Sequence, residues 1–170
     1  MIESEVIIKS VLISIQPKWC ELIASGKKTV EVRKTKPKLD VPFKCYIYCT
    51  ANKHGVNDLL EVHGTDGKIR KANGKVIGEF VCREMTLATI GGYWILPQKK
   101  TLIDPLDLMD YADDKALYGW HISELVIYDK PRELSEFHKP TLPTFLRYED
   151  DVIKRPPQSW CYVESEVQGE

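Results

Sequence analysis

The stretch Gly26-Lys27-Lys28-Thr29-Val30-Glu31-Val32-Arg33 changes period in its middle, and that change decides how the rest of the chain is read. Before it, Trp19, Leu22 and Ile23 fall at i, i+3 and i+4, the apolar stripe of a short helix over residues 17–25. Pro17 suits the first helical position, where its missing N–H is harmless. Gly26 follows the last apolar turn, where a glycine accepts positive φ cheaply. From Val30 the period becomes two: Val30 and Val32 point one way, Glu31 and Arg33 the other. Lys28 sits in the turn just before, so three charged side chains converge at one end of one strand. Around them Lys27, Lys28, Arg33, Lys34, Lys36, Lys38 and Lys44 are opposed only by Glu31 and Asp40 within residues 27–44. A chain with formal net charge −1 thus gathers positive charge beside a glycine turn, a surface suited to phosphates or nucleotides.

Working outward, residues 5–15 read as a strand before the helix and residues 43–49 as the strand after a loop bracketed by Pro37 and Pro42. Residues 75–85 form a further strand with Gly78 inside it, which marks a bulge or a close backbone approach. Residues 120–128 and 160–163 complete the strand set. Residues 51–75, with Gly55, Gly64, Gly67 and Gly74, are expected to be a mobile or partly ordered variable insertion, and the polar tail from residue 164 is expected to fray. Residues 102–118 carry Asp104, Asp107, Asp110, Asp113 and Asp114 and are expected as a solvated acidic helix, or two short ones. One or two helices among about six strands predict an α+β fold, a partly closed β-barrel, with residues 1–170 in a single domain.

Composition is that of an ordinary globular protein, 43% hydrophobic and 29% charged, so nucleic-acid contact must come from a local patch. Residues 1–10 carry Glu3, Glu5 and Lys9 within their apolar run, unlike a signal peptide, and no apolar run reaches the roughly 18 residues of a membrane span. Cys20, Cys45, Cys49, Cys82 and Cys161 are scattered and odd in number, which predicts reduced thiols and a cytoplasmic location. Cys45 and Cys49 have no second pair at zinc spacing, and the aspartates lack EF-hand spacing. No metal or cofactor is therefore expected. The phosphate-loop pattern G-x-x-x-x-G-K-[ST] and the G-x-S-x-G elbow are both absent.

The run from Ser14-Ile15-Gln16-Pro17-Lys18-Trp19 through Ser25-Gly26-Lys27-Lys28-Thr29-Val30-Glu31-Val32-Arg33 resembles the ASCH domain, a branch of the PUA-like superfamily. Its G-x-K-x-x-E-x-R pattern is matched by Gly26, Lys28, Glu31 and Arg33. Three later pieces are also similar to ASCH proteins of bacteria and phages: Gly74-Lys75-Val76-Ile77-Gly78-Glu79-Phe80, Gly119-Trp120-His121-Ile122-Ser123 and Pro156-Pro157-Gln158-Ser159-Trp160. The resemblance implies a PUA-like β-barrel of five or six strands with flanking short helices, and a cleft beside the motif strand that takes RNA or a modified nucleoside. Some small relatives deacetylate N4-acetylcytidine with the motif lysine, which carries over as Lys28. Where those enzymes have a threonine this chain has Glu31, and their glutamate from a later helix has no evident counterpart in the sequence.

Bland readings compete with each of these residues. Lys28, Glu31 and Arg33 could form an exposed surface ion pair of about 0–1 kcal/mol. In the functional reading Arg33 offers a planar fork to phosphate or base, Lys28 a mobile charge, and Glu31 orients them, while Lys27 and Lys34 steer. For chemistry, Lys28 with Glu31 is the catalytic candidate and needs a lowered lysine pKa. Trp19 belongs to the core stripe, whereas Trp120 and Trp160 begin strands where a cleft mouth would offer base stacking. His121 reads as a structural histidine. The expected function is binding of RNA or a modified nucleotide; the alternatives are an amidohydrolase of N4-acetylcytidine type and, with less support, a metal-independent ribonuclease or a protein-interaction regulator docking through the acidic segment.

Overall fold

The apolar run ahead of the first helix forms β1 (Lys9–Ile15), buried from Ser10 onward. The computed structural model describes residues 8–51, 59–90, 93–140 and 151–165. After β1 come α1 (Pro17–Ala24), β2 (Val30–Arg33), β3 (Phe43–Cys49), the short strands β4 (Glu61–His63) and β5 (Ile69–Lys71), and the long β6 (Lys75–Leu87). They are followed by β7 (Thr89–Ile90), β8 (Tyr93–Trp94), the single-turn α2 (Gln98–Thr101), α3 (Pro105–Ala112), β9 (Tyr118–Arg132) and β10 (Trp160–Glu164). The main sheet has the order β10-β1-β3-β6-β9-β2 and curls into a half-barrel, as a PUA-like fold requires. Only β1 and β3 run parallel in it, joined across the helix-containing crossover through α1; its other pairings are antiparallel.

The helix signals operate as written in the sequence. Pro17 stands in the first turn of α1, and Gly26 has φ of +76° with open space where a Cβ would lie. The chain folds back over the helix end: Gly26 N–H donates to the Ile23 carbonyl at 2.9 Å and Lys28 N–H to the Leu22 carbonyl at 2.9 Å. Cys20 and Ile23 enter the main core with Val11, Ile13, Ile47, Phe80 and Trp120. Burying a side chain such as Ile23 contributes about 1.5–3 kcal/mol. Gly78 also behaves as its placement implied. A register shift falls between Val76 and Gly78, and a Cβ on Gly78 would stand 2.3 Å from the Val126 carbonyl oxygen.

Residues 52–58, with His54 and Gly55, lie outside the described residues, but β4 and β5 pair as a hairpin. Thr65 N–H donates to Asp129 on β9 at 3.2 Å, and Arg70 reaches the Asp129 carbonyl at 3.0 Å, tying the hairpin tip to the main sheet. The acidic segment carries the short helix α3, and its five aspartates are exposed as expected, while the opposite face of the helix is buried. Asp104 caps α3 by accepting from Leu106 N–H at 2.8 Å, and Leu108 and Ala112 bury against Val30, Val32, Leu96 and Leu117. Its aspartates therefore ride on an amphipathic helix that docks against the motif strand. No helix among the described residues is long and apolar enough to cross a membrane.

Candidate functional site

Strand β2 alternates as its sequence reads, yet both faces are covered. Val30 and Val32 pack against α3, while Glu31 and Arg33 are 6% and 9% exposed on the opposite side. The exposed surface ion pair considered for Lys28, Glu31 and Arg33 is thus corrected to a buried one. Lys28 is 1% exposed. Its Nζ donates to the Thr101 carbonyl at 2.5 Å, lies 3.6 Å from Glu31 Oε2, and stands 4.8 Å from the centre of the Trp19 ring. Thr101 ends α2, so the ammonium satisfies one of the carbonyls a helix leaves without an internal partner. The neighbouring Lys100 carbonyl accepts from Thr29 N–H at 3.0 Å, which fixes the turn against the same helix end.

Arg33 is a strut rather than a free fork. Its Nε donates to Glu31 Oε1 at 3.1 Å, Nη2 to the Ser14 carbonyl at 2.7 Å, and Nη1 to Ser159 Oγ at 3.2 Å. One guanidinium therefore joins β2 to the end of β1 and to the segment entering β10. Its planar array of donors meets acceptors on three chain segments at once, which a lysine cannot do. Glu31 is divided in consequence. Oε1 is taken up by Arg33, and Oε2 accepts no hydrogen bond among the described residues.

Burial lowers the Lys28 pKa below the ordinary lysine value, with the Arg33 charge acting in the same direction and Glu31 opposing it. Burial raises the Cys20 thiol behind the motif well above its usual range, with Cys49 adding to the shift. That is a poor setting for a thiolate nucleophile.

Lys28, Glu31 and Arg33 line one cleft of about 480 Å³. Its other walls come from residues the sequence reading did not assign to the site: Trp19 and Gln16 at α1, Asp107 and Tyr111 on α3, and Gln158 and Ser159 before β10. The signal that could have found Gln158 and Ser159 lay in the Pro156–Trp160 piece quoted above. Asp107 and Tyr111 gave no such signal, because their placement depends on which face of α3 docks. Trp19, assigned to the core, is half-buried and reaches both core and cleft. A second cleft of about 470 Å³ on the other flank of α3 is lined by Trp94, Pro105 and Met109 and contains no motif residue.

The remaining candidates separate. Lys27 and Lys34 are exposed outside the cleft lining; the Lys34 ammonium lies 4.8 Å from the centre of the Tyr111 ring, at the cleft's edge. Trp120, expected at a cleft mouth, is instead fully buried, edge-on to Phe43 with centroids 5.9 Å apart. It pairs with Glu31 in the β2–β9 register, and its ring lies in the core. Trp160 is half-buried, 5.9 Å from Trp120, and its indole N–H donates to Thr35 Oγ1 at 2.9 Å. His121 lies outside the cleft and pairs with Thr86 Oγ1 at 3.0 Å. No group of His, Cys, Asp and Glu among the described residues is placed to hold a metal ion.

Solved structures share this architecture. ASCH from Zymomonas mobilis matches with a TM-score of 0.59 at 19% identity, covering 90% of this chain and 86% of that one. A tyrosine-to-phenylalanine mutant of the same protein matches with a TM-score of 0.59 at 18% identity, covering 90% and 88%. At such identity the likeness speaks for the fold alone. No curated protein matches the chain. The ASCH domain family model matches residues 13–141, a span that holds the Gly26, Lys28, Glu31 and Arg33 pattern, β2 and the α3 wall of the cleft, and the chain belongs to the ASCH domain family.

Proposed function

We propose that this ASCH domain binds RNA or a modified nucleotide, with the ligand seated in the cleft over Lys28, Glu31 and Arg33. The observation that carries this reading is the composition of that one cleft: motif charges on its floor, the aromatic rings of Trp19 and Tyr111 in its walls, and Lys34 at its edge. Charged floor, stackable rings and flanking lysines are the three elements of a site for single-stranded nucleic acid. The residues divide the task. Arg33, Glu31 and the buried Lys28 hold the floor in shape, and Lys27 and Lys34 attract the phosphates. The test is binding of a labelled single-stranded RNA by fluorescence anisotropy, comparing the wild type with a Lys27→Glu, Lys34→Glu double variant. Affinity is expected to fall by about tenfold or more, and equal binding by a folded variant would reject the assignment.

A second reading has its own support in Lys28. Burial favours its neutral form, and Asp107 reaches the same cleft from a later helix. In an N-acylated nucleoside such as N4-acetylcytidine, neutral Lys28 would take a proton from water as the oxygen adds to the acyl carbon. The C–N bond then breaks and a proton passes to the departing amine, leaving acetate and cytidine. Chromatography after incubation with N4-acetylcytidine should then show cytidine from the wild type and none from Lys28→Ala. The rate should rise with pH to a plateau reached below the ordinary lysine pKa, because the base is the deprotonated form. A rate independent of Lys28, or no cytidine at all, would remove this reading.

A further inference from the structure

The cleft that carries the nucleotide-binding reading is poorly made for a phosphate. Its charged lining side chains are Lys28, Arg33, Glu31 and Asp107, two of each sign. Both cations are already engaged. Arg33 donates to Glu31, Ser14 and Ser159, and Lys28 donates to Thr101 beside Glu31. Acceptors are what the cleft has in surplus. Glu31 is more than nine-tenths buried, and its Oε2, 3.6 Å from the Lys28 ammonium, receives no hydrogen bond among the described residues. Asp107, on the opposing wall, is exposed and has neither an ion-pair nor a hydrogen-bond partner among the described residues. Tyr111, one helical turn further along α3, brings an aromatic face that is 41% exposed, with the Lys34 ammonium near its ring.

We propose that the cleft takes the base of the nucleotide rather than its phosphate, and selects a base that presents an amino group, with Asp107 and Glu31 as acceptors and Tyr111 as the stacking surface. This rests on the nucleotide-binding reading above and deepens it. Cytosine offers a 4-amino donor where uracil offers a carbonyl oxygen, and a carboxylate attracts the first and repels the second. The phosphates then stay outside, where Lys27 and Lys34 are exposed. A cleft lining of balanced charge and a basic exterior are two devices, the first for selection and the second for affinity.

The test compares oligocytidylate and oligouridylate of about eight nucleotides at one salt concentration, against the wild type, Asp107→Asn and Tyr111→Ala. Both substitutions are on the exposed side of α3, and circular dichroism checks that each variant folds. The wild type is expected to prefer oligocytidylate by about tenfold. Asp107→Asn should cut that ratio severalfold, since an amide also donates to the uracil oxygen. Tyr111→Ala should weaken both ligands by about tenfold while leaving their ratio. Free cytidine, and not uridine, should displace the oligomer if the base alone is recognised. Equal binding of the two oligomers, or a preference that Asp107→Asn leaves unchanged, overturns base selection while nucleotide binding stands. Binding of neither oligomer overturns both.

Discussion

At the scale of single residues, the motif is a set of neutralised charges held by geometry. Lys28 is nearly closed to water yet meets a helix-end carbonyl, a carboxylate and an indole face, which together offset the cost of burying an ammonium. Arg33 connects three chain segments through one planar group, so the sequence difference that matters is shape rather than charge. Arg33→Lys keeps the charge but leaves the Ser14 carbonyl or Ser159 without a donor. We expect it to lower stability by about 2–4 kcal/mol. Urea unfolding would show this as a lower midpoint at unchanged slope, and a midpoint equal to wild type would mean that the strut is dispensable.

At the scale of elements, the site depends on how closely strands and helices approach. Gly78 lets β6 and β9 pass where any side chain would collide with the Val126 carbonyl. The collision is with backbone, which cannot rotate away. Gly78→Ala should therefore cost about 2–4 kcal/mol through displaced strand pairing. A variant within about 0.5 kcal/mol of wild type would show that the sheet absorbs the bulge elsewhere. Helix α3 illustrates the reverse dependence. Its five nearby aspartates suggested solvation and are exposed, while Leu108 and Ala112 dock its other face on β2, and that docking brings Asp107 and Tyr111 to the cleft. A charge count along the segment carried no information about which face would be turned inward.

At the scale of the whole molecule, a net charge of −1 means that attraction of a polyanion has to be local. Removing two lysine contacts in the Lys27→Glu, Lys34→Glu variant should flatten the dependence of log affinity on log salt by about 1.4, since each contact with a single strand contributes about 0.7. An unchanged slope would place the phosphates on other lysines. The helix start and stop, the switch of period at Val30, the principal strands and the family pattern were legible in the chain, because each depends on neighbours a few residues apart. The burial of Lys28, the withdrawal of Trp120 into the core and the engagement of Arg33 were not. Each is set by residues far away in sequence: Thr101, Phe43 and Ser159. By itself the sequence determined that these charges sit together on a short strand after a glycine turn, since local backbone geometry and side-chain alternation suffice for that. Only the tertiary structure decided that they form the floor of a cleft with Asp107 and Tyr111 above, because packing between distant segments determines which polar groups keep water and which must find partners.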